Sequence, residues 1–274
     1  MSILMAALTP HPPIIIPEIG KERRQEVDTT ISKLEELAAE IEKKNPDILI
    51  TISPHGPVFA DAISILDQGR LEGDFSEFAC PEVSMSIETD PGFIQNIKSE
   101  AKEEDIEVIT LSSADLKKYN YPGRLDHGVM VPLYFLKQRS LDMPVIPITM
   151  GLLDYDKLYK FGKTIQKTVS EMGLKAVIIA SGDLSHRLRP GAPAGYNPYG
   201  EKFDKKLIEM LENENYREVM NIDQNLIEKA GECGLRPLVI MLGALDGQNY
   251  SSEVKSYEGP FGVGYGVVGF YQNS

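Results

Sequence analysis

Tryptophan is absent from this 274-residue chain, cysteine occurs twice and histidine four times. Cys80 and Cys233 cannot build a disulfide framework and show no CxxC spacing, which fits a reducing cytoplasm. No apolar run approaches the ~20 residues of a membrane span. The stretch Ile3 to Leu8 is short, has no basic residues ahead of it and runs into Pro10 and Pro12, so it reads as neither a signal peptide nor a span. Positive charge is scarce too. The 28 Lys+Arg face 41 Asp+Glu, a net charge of −13, and basic clusters stop at pairs such as Arg23-Arg24 and Lys205-Lys206. A surface of that sign repels phosphate backbones and anionic lipid, which argues against nucleic acid and membrane as partners.

What is present suits a protein with a sizeable core, since 42% of residues are apolar and 25% charged. Short runs rich in Ile and Val read as strands: Ile3–Leu8, Ile48–Ile52, Ile106–Leu111, Val145–Thr149 and Ala176–Ala180. Helical spacing fills the gaps. Val27, Ile31, Leu34, Leu37 and Ile41 make one amphipathic face, and helix patterns also cover Pro91–Glu103, Val129–Arg139, Tyr155–Met172, Tyr199–Glu212 and Cys233–Leu245. Near-continuous apolar strands alternating with helices predict an α/β fold of three layers, α/β/α, around a mostly parallel or mixed sheet. Ser251–Tyr257 and Val263–Tyr271 predict a C-terminal antiparallel pair. No linker, repeat or composition shift divides the chain, so residues 1–274 read as a single domain.

The few histidines are placed informatively. His11, in Thr9-Pro10-His11-Pro12-Pro13, follows the first strand; His55, in Ser53-Pro54-His55-Gly56-Pro57, follows the second; His186 ends Ser181-Gly182-Asp183-Leu184-Ser185-His186, just beyond the strand Ala176–Ala180. His127 opens a helix in Asp126-His127-Gly128. Ligand crevices of open α/β sheets lie outside the carboxyl ends of the strands, so the pattern predicts one convergent histidine site. Neutral imidazole is a common ligand for divalent metals, and two histidines with a carboxylate leave positions open on ferrous iron. For the third ligand the choice lies between Glu232, at the mouth of an apolar helix, and its neighbour Cys233, whose thiolate also binds zinc or iron.

These pieces, Thr9–Pro13, Ser53–Pro57, Asp126–Leu133, Ser181–His186 and Gly231–Leu238 in that order, resemble the class III extradiol dioxygenases of the LigB-like superfamily, which also takes in the Memo proteins. Ser181–Arg189, Ala192–Tyr196 and Tyr257–Tyr265 bring it nearest to the dioxygenase-like proteins of AmmeMemoRadiSam systems. The resemblance implies one LigB-like catalytic domain with Fe(II) held by His11, His55 and Glu232, zinc or another divalent metal being the alternative. It implies His186 as acid/base and His127 as a contact to substrate or oxygen. Memo-type members carry a cysteine where Cys233 falls.

The expected reaction is extradiol ring cleavage of a catechol-type aromatic with O2, as in aromatic compound catabolism. A catechol proton with a pKa near that of tyrosine, about 10, needs a base, and His186 is the candidate, with Asp183 or Ser185 as orienters. The loop Arg187–Tyr199 suggests a lid in which Arg187 and Tyr196 bind substrate, with Arg189 and Tyr199 nearby. The implied company is a small aromatic substrate and O2, with a homodimer or an AMMECR-type or radical-SAM system partner. Two rival readings are a Memo-like metal- or partner-binding protein without ring cleavage, and a zinc hydrolase. Gly262-Val263-Gly264-Tyr265-Gly266 lies in a strand pattern with no helix after it, which argues against a nucleotide loop, and no GxSxG elbow surrounds Ser53 or Ser181.

Overall fold

The computed structural model describes residues 2–119, 121–139 and 142–273. Its strands are β1 (Ile3–Thr9), β2 (Ile48–Ser53), β3 (Ile63–Leu66), β4 (Arg70–Phe75), β5 (Cys80–Glu88), β6 (Val108–Leu111), β7 (Val145–Thr149), β8 (Ala176–Ser181), β9 (Tyr250–Glu258) and β10 (Tyr265–Gln272). The helices are α1 (Pro17–Gly20), α2 (Asp28–Lys44), α3 (Pro91–Glu103), α4 (Ser113–Lys118), α5 (His127–Lys137), α6 (Tyr155–Glu171), α7 (Tyr199–Glu212), α8 (Tyr216–Val219), α9 (Gln224–Ala230) and α10 (Leu235–Ala244).

Among the described residues eight strands form one mixed sheet in the order β6-β3-β7-β2-β8-β1-β10-β9. Its centre is parallel: β8 pairs with β1 on one side and β2 on the other, and β2 pairs with β7. The predicted C-terminal pair is present, β10 running antiparallel to β1 and carrying β9 at the edge. Sequence periodicity alone misses β3, which lies between β7 and β6, antiparallel to the first and parallel to the second. It also misses the separate β4-β5 hairpin, whose half-exposed alternation is broken by a bulge.

The apolar strands are continuous because both faces are covered. In β8, Ala176, Ile178 and Ala180 join the core beneath α3, α6, α7 and α10, while Val177 and Ile179 join the core beneath α2 and α5. In β1 the alternation slips at a bulge between Ile3 and Met5, so Ile3, Ala6 and Leu8 share the first face and Met5 and Ala7 the second. The amphipathic face read from Ile31, Leu34, Leu37 and Ile41 is the buried face of α2.

Helices α6 and α10 cross at two glycines. A β-carbon added to Gly162 would stand 2.0 Å from the Ile240 carbonyl oxygen, and one added to Gly243 would stand 2.0 Å from that of Tyr159. Backbone cannot yield as a flexible side chain would, so Gly162→Ala should destabilise the fold by about 1–3 kcal/mol. Denaturant unfolding measures this. An unchanged midpoint would show that the two helices are not in backbone contact.

Candidate metal centre

Parallel pairing places Thr9, the last residue of β1, opposite Ser181, the last of β8, while Ile52 of β2 pairs with Ala180. The segments leaving β1, β2 and β8 therefore start from one end of the sheet. His11 lies between Pro10 and Pro12, which hold it in extended backbone. Its amide donates to Asp183 Oδ1 at 2.9 Å, tying the two strand ends together. His55 is set by its own amide, which donates to Ser53 Oγ at 3.2 Å, and Ser53 in turn donates to Asp126 Oδ1 at 2.6 Å. Asp126 caps α5 by accepting from the Val129 amide, which leaves His127 as the first helical residue.

Three of the four histidines pack ring against ring, and His186 is near enough to act electrostatically on His11 and His55. The His55 and His127 rings stack with centroids 4.2 Å apart, and His11 stands edge-on to both at 4.7 and 5.3 Å. His11 is fully enclosed, His55 the most open. Ser181 Oγ donates to the Gly128 carbonyl and so accepts from His11 Nδ1 at 2.9 Å. That fixes the proton on Nδ1 and leaves the Nε2 lone pair free. His11 Nε2 lies 3.0 Å from His55 Nε2 and 3.6 Å from Cys233 Sγ.

His11, His55 and Cys233 offer donor atoms that lie within 4.8 Å of one another. A divalent metal about 2.1 Å from imidazole nitrogen and about 2.3 Å from thiolate sulfur would hold such atoms about 3.0–3.6 Å apart, so these residues fit a metal ion. Cys233 reaches the cluster through a close backbone approach. A β-carbon on Gly182 would fall 2.1 Å from Gly234 Cα, and this contact lets the Asp183 carbonyl accept from the amides of Cys233 (3.2 Å) and Gly234 (3.0 Å). Glu232, the other candidate for third ligand, accepts from the Leu235 amide at 2.6 Å, at the N-terminal end of α10, and does not join that donor set among the described residues.

The electrostatics follow from burial. Removal from water holds His11 well below the usual histidine range, with His55, His127 and His186 adding repulsion. The same cause brings His55 down to about 4, with His186 adding to it, and His127 to about 3, with His55 adding to it. Burial also pushes Asp183 and Glu232 up to about 7 and the Cys233 thiol well up, helped there by Asp183 and Glu232. At neutral pH the metal-free histidines and the thiol are thus uncharged, while Asp183 and Glu232 stand near their midpoints.

His186 stands apart from the donor set. Its Nδ1 donates to the Gly231 carbonyl at 2.7 Å, so Nε2 is a free acceptor, 3.9 Å from Asp183 Oδ2. The orienting bond comes from a backbone carbonyl, not from Asp183 or Ser185 as expected, and Ser185 Oγ donates to the Ala230 carbonyl. Arg187 is half-buried beside Gly231, whereas Tyr196 is 57% exposed on the following loop. Sequence reasoning missed Phe78, which stands edge-on to His127 at 5.2 Å; it comes from the unpredicted hairpin and no motif marks it.

Residues 5–268 match the family of the catalytic LigB subunit of aromatic ring-opening dioxygenase. The chain is 42% identical to a protein of Clostridium acetobutylicum over 268 residues, 98% of this chain and 57% of that one. It is 32% identical to a MEMO1 family protein of Methanocaldococcus jannaschii over 130 residues, 44% of this chain and 40% of that one. It thus spans about half the length of these two relatives. To 3,4-dihydroxyphenylacetate 2,3-dioxygenase of Escherichia coli it is 22% identical over 266 residues, 92% of this chain and 93% of that one. A crystal structure of an uncharacterised Escherichia coli K12 protein shares the fold, with a TM-score of 0.66 at 16% identity, covering 98% of this chain and 99% of that one.

In metal-free protein, nitrogen-detected NMR at pH 6 should show neutral His55 and His127 rings, with midpoints near pH 4 and 3. The His11 proton should sit on Nδ1. Ordinary midpoints near 6.5 would mean that the rings are solvated and the cluster is not closed as described.

Proposed function

The chain belongs to the LigB family, and from that premise we propose that it is a ferrous extradiol dioxygenase, opening the ring of a catechol-type aromatic with O2. One carbon–carbon bond beside the diol breaks, both oxygen atoms enter the product and no other reductant is consumed. The observation that carries this reading is the pairing of a three-donor metal cradle with a fourth, tautomerically fixed histidine whose free nitrogen is turned to no other partner.

His11, His55 and Cys233 would hold the ion. Bound ferrous iron would supply a Lewis acid for the diol and a path for electrons from the diol to dioxygen. His11 presents its lone pair because Ser181 and Gly128 hold its proton on the far nitrogen. His186 takes the first hydroxyl proton on Nε2, the Gly231 carbonyl keeping Nδ1–H in place as the ring becomes cationic. Asp183 lies within 3.9 Å to stabilise that cation. Burial lowers the His186 pKa, so the base is already free at neutral pH. His127, neutral and wedged between His55 and Phe78, offers a hydrogen bond to the second hydroxyl or to oxygen and helps to exclude water.

A second reading is favoured by the thiol in the donor set and by the MEMO1 family relatives: a metal- or partner-binding protein without ring cleavage. Oxygen uptake with a panel of catechols under ferrous conditions decides between them.

Metal ligands must be deprotonated, so the protons released on loading identify them. With neutral histidines, a protonated Cys233 thiol and Asp183 and Glu232 near their midpoints, loading at pH 7 should release more than one proton, and Cys233→Ala should weaken binding and lower the release by about one proton. Calorimetry in buffers of different ionisation enthalpy reads this, and an unchanged release in the variant would return the third position to Glu232. His186→Ala should keep its metal and lose about 100- to 10,000-fold in turnover. Loss of metal together with turnover would make His186 a ligand.

A further inference from the structure

His186 is held from behind by a network that begins one residue earlier. Ser185 is fully buried and each of its polar atoms is partnered. Its amide donates to Asp204 Oδ1 and its carbonyl accepts from the Gly264 amide, both at 2.8 Å. Its hydroxyl donates to the Ala230 carbonyl at 2.9 Å and accepts from the Arg187 amide at 3.0 Å. His186 repeats the pattern on the next carbonyl, Nδ1 donating to Gly231 at 2.7 Å. Ser185 and His186 thus grip the end of α9 in register, and the orientation of the imidazole depends on where that turn sits relative to the loop.

One side chain sets that relation. Asp204 of α7 is fully buried, and its carboxylate is divided between two donors, the Ser185 amide on Oδ1 and the Tyr257 hydroxyl on Oδ2 at 2.7 Å. Tyr257 belongs to β9, so Asp204 joins a helix, the base loop and the edge strand at one point. Gly264 makes room for it. A β-carbon there would collide with Asp204 Oδ2, and the Gly264 carbonyl and amide pair with Leu184 and Ser185. An apolar residue in place of Asp204 would spare the cost of burying a carboxylate but would leave the Ser185 amide buried without an acceptor. Cys233 is anchored separately, its amide and that of Gly234 donating to the Asp183 carbonyl, so the grip on His186 can loosen while the thiol stays.

We propose that Asp204, braced by Tyr257, is a positioning residue for the base: by fixing Ser185 it sets the Ala230 and Gly231 carbonyls so that His186 keeps its proton on Nδ1 and its lone pair on Nε2. This rests on the reading of His186 as the base and deepens it. Without that anchor the ring exchanges tautomers, and a ring protonated on Nε2 cannot accept a hydroxyl proton there.

The test combines nitrogen-detected NMR of the metal-free chain, the His186 signals being identified by their loss in His186→Ala, with steady-state oxygen uptake on catechol under ferrous conditions. Asp204→Ala should turn the Nδ1–H form of His186 into a mixture of tautomers. It should lower kcat roughly 10- to 100-fold at little-changed KM, as expected when a buried hydrogen-bond anchor is lost. Asp204→Asn still offers an oxygen to the Ser185 amide and an N–H to the Tyr257 hydroxyl, and should restore both the tautomer and most of kcat. Metal content should match the unaltered chain in both variants. Should Asp204→Ala fail to fold, Tyr257→Phe must shift tautomer and kcat in the same direction by a smaller factor. A lowered unfolding midpoint with the Nδ1–H form and kcat intact overturns the proposal, as do equal losses in the Ala and Asn variants. If all variants cleave catechol equally, this inference fails and ring cleavage stands. If the His186 tautomer follows Asp204 while the unaltered chain cleaves no diol, the positioning role stands and the ring-cleavage reading fails.

Discussion

The parallel pairing of β8 with β1 on one side and β2 on the other is the constraint on which the site depends. It brings three strand ends, Thr9, Ser53 and Ser181, to one edge of the sheet and starts three rigid turns there. The hydrogen bonds that complete the centre run between those turns. Asp183 receives the His11 amide, Ser181 receives the His11 ring, and the Asp183 carbonyl receives Cys233 and Gly234. A change of register in β8 would therefore disturb the whole cluster, not one ligand.

Enclosure has opposite effects on the two kinds of ionisable group. Histidines held near 3 and 4 make the folded state bind fewer protons than the unfolded chain below pH 6.5, so acidification works against the fold. Asp183, Asp204 and Glu232, raised to about 7, make it bind more protons between about pH 4 and 7, so stability drains away as pH rises through that window. The two trends offset each other where they overlap. Asp204 is held in place by the Tyr257 hydroxyl and the Ser185 amide, so this electrostatic balance extends to the loop that carries His186.

Charge is also distributed unevenly over the surface. Several cations pair with the abundant acids, and Lys255 is almost wholly buried against Glu36 and Glu40, where it clamps the edge strand β9 to α2.

Much of the molecule was legible in the chain. The strands that lead to His11, His55 and His186, the helix that begins at His127 and the C-terminal pair follow from apolar periodicity, because both faces of the central sheet are covered and only continuous apolar runs satisfy that burial. Histidines are few, and their positions just after strands pointed to the convergent site. What periodicity could not show are β3, buried but only four residues long, and the partly buried β4-β5 hairpin, and with the hairpin Phe78. Nor could it choose between Glu232 and Cys233. Adjacent residues leave a turn in different directions, and it is the Gly182 to Gly234 contact that directs the thiol to the histidines while the carboxylate turns to the α10 amide. Residue type and order establish which side chains can bind a metal and move a proton; folding selects which of them meet, because that depends on backbone approach between segments fifty and more residues apart.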